Sequence, residues 1–167
     1  MAKAMDAFSA SLMADKREII FAPTVYKFQT FAQMAEEFKL GERDVVLTNE
    51  FIYTPFMKDL NLKCNFVFQE KFGAGEPSEA MIQTMYDAIP YESYDRVIAV
   101  GGGAIMDLCK LLGCKRPDTV HNLYYKRFPV VHEKDVIAIP TTCGTGSECT
   151  NISVAIVKTE IDGQLTG

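Results

Sequence analysis

The sequence has few histidines, no excess of basic residues and no long apolar run, and each shortage excludes a class of protein. No apolar stretch approaches the ~20 residues of a membrane-spanning helix, so we expect no membrane partner. The 22 acidic residues outnumber the 17 basic ones, which argues against a nucleic-acid partner, because such a surface needs a basic patch. The two histidines, His121 and His132, lack acidic or cysteine partners at ligand spacing and make a poor metal site.

Cysteine is present, but not in a pattern that indicates disulfides or zinc. The five cysteines are odd in number and contain no C-x-x-C pair, so we expect free thiols in a reducing cytoplasm. The first residues, MAKAMDAFSASLMADKRE, mix charges along their length and lack the apolar core of a secretory signal. With 167 residues, 48% of them hydrophobic, the chain fits one domain with a sizeable core.

The most informative stretch is VIAVGGGAIMDLCKLLG, residues 97–113. Four apolar or small residues predict a buried strand, three glycines follow, and an apolar periodicity then predicts a helix. Glycines let the backbone approach a ligand closely, and a helix N-terminus attracts an anion. The stretch therefore predicts a phosphate cradle.

The match to the dinucleotide fingerprint G-x-G-x-x-G is partial. Met106 occupies the position of the third glycine. A glycine-rich turn without a ligand therefore remains the alternative interpretation of this stretch.

Strands and helices are predicted to alternate along the chain. The predicted strands cover residues 18–22, 44–48, 64–68, 97–100, 136–139 and 151–158, and the predicted helices cover 31–40, 50 to about 60, a segment opened by Ser78, and the segment after the glycines. This alternation predicts an α/β fold, a Rossmann-like parallel sheet with helices on both faces. The segment between residues 113 and 135 shows no periodicity, and we interpret it as a solvated crossover.

Two further positions follow predicted strands, where parallel sheets bind ligands. Asn49 is placed to meet an adenosine ribose, although a turn-forming asparagine explains it equally well. The segment TTCGTGSE follows Pro140, and its hydroxyls and open N–H groups suit a phosphate, a ribose or a nicotinamide amide. Cys143 has no histidine nearby in sequence to act as a base, so we interpret it as a lining residue rather than a nucleophile.

Two motifs resemble those of the iron-containing (group III) alcohol dehydrogenases. GGGAIMDLCK is similar to that family's GGGSxxDxAK, and PTTCGTGSE is similar to its PTTAGTGSE. The resemblance runs from about residue 28 to 155, and the stretches GERDVVLTNEFIY and QEKFGAGEPSEAM narrow it to members that act on a short ω-hydroxy acid. It implies the family's N-terminal, dehydroquinate synthase-like domain and hydride transfer to NAD, with NADP possible.

The resemblance also implies a set of cofactor-binding residues: Asn49, Gly101, Gly102, Gly103, Ala104, Asp107, Thr141, Thr142 and Thr145. Ala104 replaces the family's serine, which removes a hydroxyl but no backbone N–H. Asn49 replaces the usual aspartate, which weakens the exclusion of a 2′-phosphate. The choice between NAD and NADP as cofactor therefore stays open. The final IDGQLTG lacks a lysine that many relatives carry.

Family members continue into an all-helical domain that supplies an aspartate and three histidines to a divalent metal, Fe or Zn. We therefore expect residues 1–167 to be one dinucleotide-binding domain and a fragment of a longer parent. We expect no catalytic and no metal-binding residue in it, and no activity from it alone. The expected partners are a small-molecule substrate and further copies in a homo-oligomer. A general alcohol or butanol dehydrogenase, and a non-catalytic nucleotide-binding module, remain the alternatives.

Overall fold

The computed structural model describes residues 24–161 and 164–166, so the strand predicted at residues 18–22 lies outside the described residues. The helices are α1 (Phe31–Glu37), α2 (Glu50–Phe56), α3 (Glu79–Ala88), α4 (Gly103–Leu112) and α5 (Val120–Tyr124). The strands are β1 (Asp44–Thr48), β2 (Asn65–Phe68), β3 (Arg96–Gly101), β4 (Asp135–Pro140), β5 (Thr159–Ile161) and β6 (Gln164–Thr166).

The first four strands form one parallel sheet in the order β2-β1-β3-β4. Each parallel pairing requires a crossover, and the helices supply these crossovers. The chain moves from β1 outward to β2, and then returns to place β3 on the other side of β1. The carboxyl ends of β1 and β3 are therefore neighbours at the point where the strand order reverses.

Both faces of the sheet are covered by helices, which confirms the predicted α/β fold. Side chains alternate across a strand, so Val46 and Ile98 pack with α1 and α2, whereas Val45 and Val97 pack with α3, α4 and α5. All four valine and isoleucine side chains are almost completely buried. Such burial on both faces stabilises a parallel sheet by about 2 kcal/mol for each large aliphatic side chain.

Helix boundaries follow local chemistry. The Ser78 hydroxyl caps α3 by accepting a hydrogen bond from the Met81 N–H at 3.2 Å, as the sequence predicted. The predicted helix over residues 31–40 ends earlier, at Glu37, and Lys39 has a left-handed backbone. The helix predicted to reach about residue 60 ends at Phe56, after Pro55, and continues as a separate 3₁₀ turn.

The strand predicted over residues 151–158 is wrong. The segment pairs only at one isolated bridge, between Ser78 and Ile156, and Ile152, Val154 and Ile156 are 61, 59 and 67% exposed. Two side chains of α4, rather than a neighbouring strand, bind its backbone: Lys110 Nζ donates to the Ile152 carbonyl, and the Val154 N–H donates to Asp107 Oδ2. The sequence also missed α5 in the crossover and the antiparallel pair β5–β6.

Candidate functional site

Polar residues cluster where β1 and β3 end side by side. The buried Thr48 hydroxyl donates to the Val100 carbonyl at 2.8 Å and ties the two strand ends together. Asn49 follows one strand, and Gly101 ends the other. In open parallel sheets, ligands bind in the crevice beyond such a switch point.

The glycine turn, Gly101–Gly103, leads from β3 into α4, and its glycines serve different purposes. A Cβ at position 101 would lie 2.5 Å from Cγ1 of Ile105, so this glycine is needed for close packing of the helix on the strand. Gly102 is the N-cap of α4, and its carbonyl accepts the first helical bond, from Met106. The N–H groups of Gly103, Ala104 and Ile105 find no acceptor among the residues that the structure describes. These N–H groups are therefore available to an anion.

A second segment, the threonine loop (residues 141–150), lies directly against the glycine turn. The Thr141 N–H donates to the Gly101 carbonyl at 3.0 Å. A Cβ built on Gly102 would stand 3.3 Å from Thr142 Oγ1, and one built on Gly103 would stand 3.3 Å from Thr145 Cγ2. The backbone of one segment and the threonine side chains of the other therefore border the same space.

Asp107, in α4, anchors the threonine loop through hydrogen bonds. This aspartate is only 9% exposed. Its Oδ1 accepts from Ser147 Oγ at 2.5 Å and from Lys110 Nζ at 3.0 Å, and its Oδ2 accepts from the Val154 N–H at 3.1 Å. Lys110 extends the network to Thr150 Oγ1 at 3.1 Å and to the Ile152 carbonyl at 2.6 Å.

The structure therefore gives Asp107 three protein donors, and its contact with a cofactor stays a prediction. Lys110 and Ser147 belong to this network and were missed by sequence reasoning. A signal was available, because the nearest residues of the helix on either side of Asp107, Ile105, Met106, Leu108 and Cys109, are all apolar. An aspartate at such a position needs hydrogen-bond donors from another segment.

Asn49 faces a carboxylate, that of Glu70, which sequence reasoning did not place there. Its Nδ2 donates to Glu70 Oε1 at 3.1 Å and stands 3.4 Å from Gln69 Oε1. The same Glu70 oxygen accepts from the Glu50 N–H at 3.1 Å. Glu70 is 21 residues away in sequence and arrives through the parallel pairing of β1 with β2, in which Thr48 is opposite Phe68.

The described residues bring together no group of three or more histidine, cysteine, aspartate or glutamate side chains that would hold a metal. His121 is buried, stacks on Tyr125 with ring centroids 4.3 Å apart, and has Nδ1 3.5 Å from Glu79 Oε2. His132 is exposed in the crossover. The residues of this part of the chain thus do not fit a metal centre.

All five cysteines are free thiols, and their environments differ. Burial raises the pKa of Cys64 to about 11 and holds the pKa of Cys109, inside α4, far above its usual range. Cys143, in the threonine loop, is exposed. Within the described ranges, no helix is long and apolar enough to cross a membrane.

The sheet, its helices and the crevice at the switch point define a doubly wound α/β domain. The chain belongs to the iron-containing alcohol dehydrogenase family, whose model matches residues 22–164.

Two curated relatives show how far the likeness extends. The chain is 48% identical over 137 residues to a 4-hydroxybutyrate dehydrogenase from Clostridium kluyveri, covering 82% of this chain and 37% of the relative. It is 37% identical over 87 residues to the human mitochondrial hydroxyacid-oxoacid transhydrogenase, covering 47% of this chain and 19% of the relative. The chain thus spans little more than a third of the first relative and about a fifth of the second.

Solved structures share the fold. An iron-containing alcohol dehydrogenase from Thermotoga maritima superposes with a TM-score of 0.58 at 24% identity, over 76% of this chain and 37% of the other. A sulfoacetaldehyde reductase from Bifidobacterium kashiwanohense, solved in complex with NAD⁺, superposes with a TM-score of 0.56 at 18% identity. The match covers 81% of this chain and 46% of the other. At these identities the likeness establishes the architecture alone.

Proposed function

We propose that residues 1–167 form the dinucleotide-binding domain of a metal-dependent, NAD-linked alcohol dehydrogenase. The observation that carries the proposal is the contact between the glycine turn and the threonine loop. The space between them is bordered by backbone N–H groups and threonine hydroxyls, and a Cβ at either of two glycines would enter it. These groups fit a pyrophosphate with its ribose.

Each site residue then has a physical task. The glycine turn and Ala104 hold the pyrophosphate through backbone N–H groups, so the missing serine hydroxyl at position 104 is tolerated. Thr141, Thr142 and Thr145 line the nicotinamide ribose and phosphates, and Asn49 meets the adenosine ribose. When bound, the dinucleotide supplies a hydride acceptor. Asp107 acts mainly by holding the threonine loop in place.

For the substrate we propose 4-hydroxybutyrate, on the strength of the Clostridium kluyveri relative. Its alcohol carbon loses a hydride to NAD⁺ and its hydroxyl loses a proton, which gives succinate semialdehyde, NADH and H⁺. A general short-chain alcohol or butanol dehydrogenase of the same family is the runner-up. A non-catalytic nucleotide-binding module is the candidate from another class.

The proposal has further parts that concern the whole protein. A divalent metal, Fe or Zn, would be held by ligands outside the described residues, and no described residue is assigned a catalytic role. We also propose a cytoplasmic location, which suits five free cysteines, and assembly into a homo-oligomer.

Calorimetric titration of the chain with NAD tests the cofactor site. Gly102→Val should weaken binding at least ~100-fold, because the side chain enters the space beside Thr142. Gly41→Val is the matched control: it lies before β1, at the opposite end of the sheet, where a Cβ has no neighbour nearer than 4.0 Å. Equal NAD binding by wild type and Gly102→Val, with Gly102→Val folded, would contradict the proposed site.

The reaction needs a separate assay, on the longest gene product that contains these 167 residues. With Fe²⁺ or Zn²⁺ added, NADH formation should have a higher kcat/KM with 4-hydroxybutyrate than with butanol. A preference for butanol would favour the runner-up. NAD binding without turnover of either alcohol would favour the non-catalytic module.

A further inference from the structure

We infer that Glu70 is the residue that makes the proposed cofactor site select NAD over NADP. This inference rests on the proposed function. The family resemblance directs attention to position 49, where a neutral asparagine replaces the usual aspartate. The structure shows that the negative charge absent from position 49 is present beside it, on the neighbouring strand end.

The geometry of this carboxylate is fixed by two donors. Glu70 Oε1 accepts from Asn49 Nδ2 and from the Glu50 N–H, both at 3.1 Å. The two donors come from the end of β1 and the start of α2, so they hold the Glu70 side chain across the crevice edge. Asn49 thus serves to position the charge rather than to supply it.

The second oxygen of Glu70 remains available. Oε2 makes no hydrogen bond within the described part of the chain, and the residue is exposed. The oxygen can therefore accept a hydrogen bond from a ribose hydroxyl. In doubly wound sheets an acidic side chain beside the glycine-bearing strand binds the ribose 2′-hydroxyl of NAD, and β1, which ends at Thr48 just before Asn49, is the strand beside β3.

A second carboxylate next to this position favours the same selection. Glu50 adds a second exposed carboxylate at the first residue of α2. The neighbouring cation, Lys71, has its Nζ over the Phe68 ring, 5.2 Å from the centroid. A 2′-phosphate would carry about two negative charges into this position and be repelled, whereas a hydroxyl would be bound.

Glu70→Gln tests the inference because it removes the charge and keeps an oxygen for both donors. The measurement is the ratio of Kd for NADP to Kd for NAD, by calorimetric titration of the chain at fixed ionic strength. Wild type should prefer NAD, and the substitution should lower the ratio at least ~10-fold, mainly through tighter NADP binding. Thermal unfolding of each variant confirms that it is folded.

Glu42→Gln is the matched control, since it removes the same charge from an exposed residue before β1, at the opposite end of the sheet. It should leave the ratio unchanged. If wild type binds NAD and Glu70→Gln keeps the wild-type ratio, the inference is overturned and the proposed function stands. If wild type binds neither dinucleotide, or prefers NADP, the inference is overturned; binding of neither also removes the proposed function.

Discussion

The glycine turn and the threonine loop border the same space, but different interactions hold them in place. The glycine turn continues a central strand into a helix, and its position follows from backbone pairing and a buried apolar helix face. The threonine loop is mostly exposed. Apart from the backbone bond of Thr141 to Gly101, it is held chiefly by Asp107 and Lys110 of α4. One half of the site is thus part of the core, and the other depends on a few polar side chains.

The largest effect on stability is expected from Asp107→Ala. The substitution removes acceptors from Ser147 and the Val154 N–H and leaves the Lys110 ammonium, only 16% exposed, without its carboxylate. We expect a loss of about 3 kcal/mol in the free energy of unfolding, measured by urea denaturation, together with faster proteolysis within residues 141–154. Asp59→Ala, at an exposed aspartate without such a network, is the control. Equal losses for the two variants would show that the loop is held in some other way.

A smaller loss is expected from Gly101→Ala, which tests the core half of the comparison. The new Cβ would overlap the Ile105 side chain, with 2.5 Å to Cγ1 and 2.8 Å to Cβ, and overpacking of this kind costs about 2 kcal/mol. Gly102→Ala meets its nearest atom at 3.3 Å and should unfold much as the wild type does. The comparison fails if Gly102→Ala is the more destabilising of the two.

The smallest effect is expected in thiol reactivity, which should differ between the threonine loop and the buried helix that follows the glycine turn. Cys143 is exposed in the threonine loop, whereas burial raises the pKa of Cys109 and withholds its thiolate. Iodoacetamide at pH 8 should modify Cys143 and leave Cys109 intact until the chain unfolds, as read by peptide mass spectrometry. Saturating NAD should slow the reaction at Cys143. If NAD leaves the rate of modification at Cys143 unchanged, the threonine loop does not contact the cofactor.

The core half of the site could be predicted from sequence because its signals are local. The apolar spacing of Ile105, Leu108, Cys109 and Leu112 predicted the helix, and all four are buried. The strand at residues 44–48 was also predicted with its observed bounds. A helix face and a strand depend on residues near each other in the chain.

The remainder depends on contacts between distant segments. Glu70 reaches Asn49 only because β2 lies parallel to β1. The stretch 151–158 has the alternation of a strand, yet α4 side chains bind its backbone groups, so the alternation predicted a strand that does not form. The position of Asp107 in an apolar helix indicates that it needs donors, but nothing in the spacing of Asp107 and Lys110 identifies the loop some 40 residues later as their partner.

The central claim is that the glycine turn and the threonine loop bind one dinucleotide between them. Amide NMR spectra of the chain titrated with NAD test it most directly, because each N–H reports separately. We expect the largest shifts at Gly102, Gly103 and Ala104 together with residues 141–145, with a common Kd for both groups. Shifts confined to one segment, or centred elsewhere in the chain, would contradict the account.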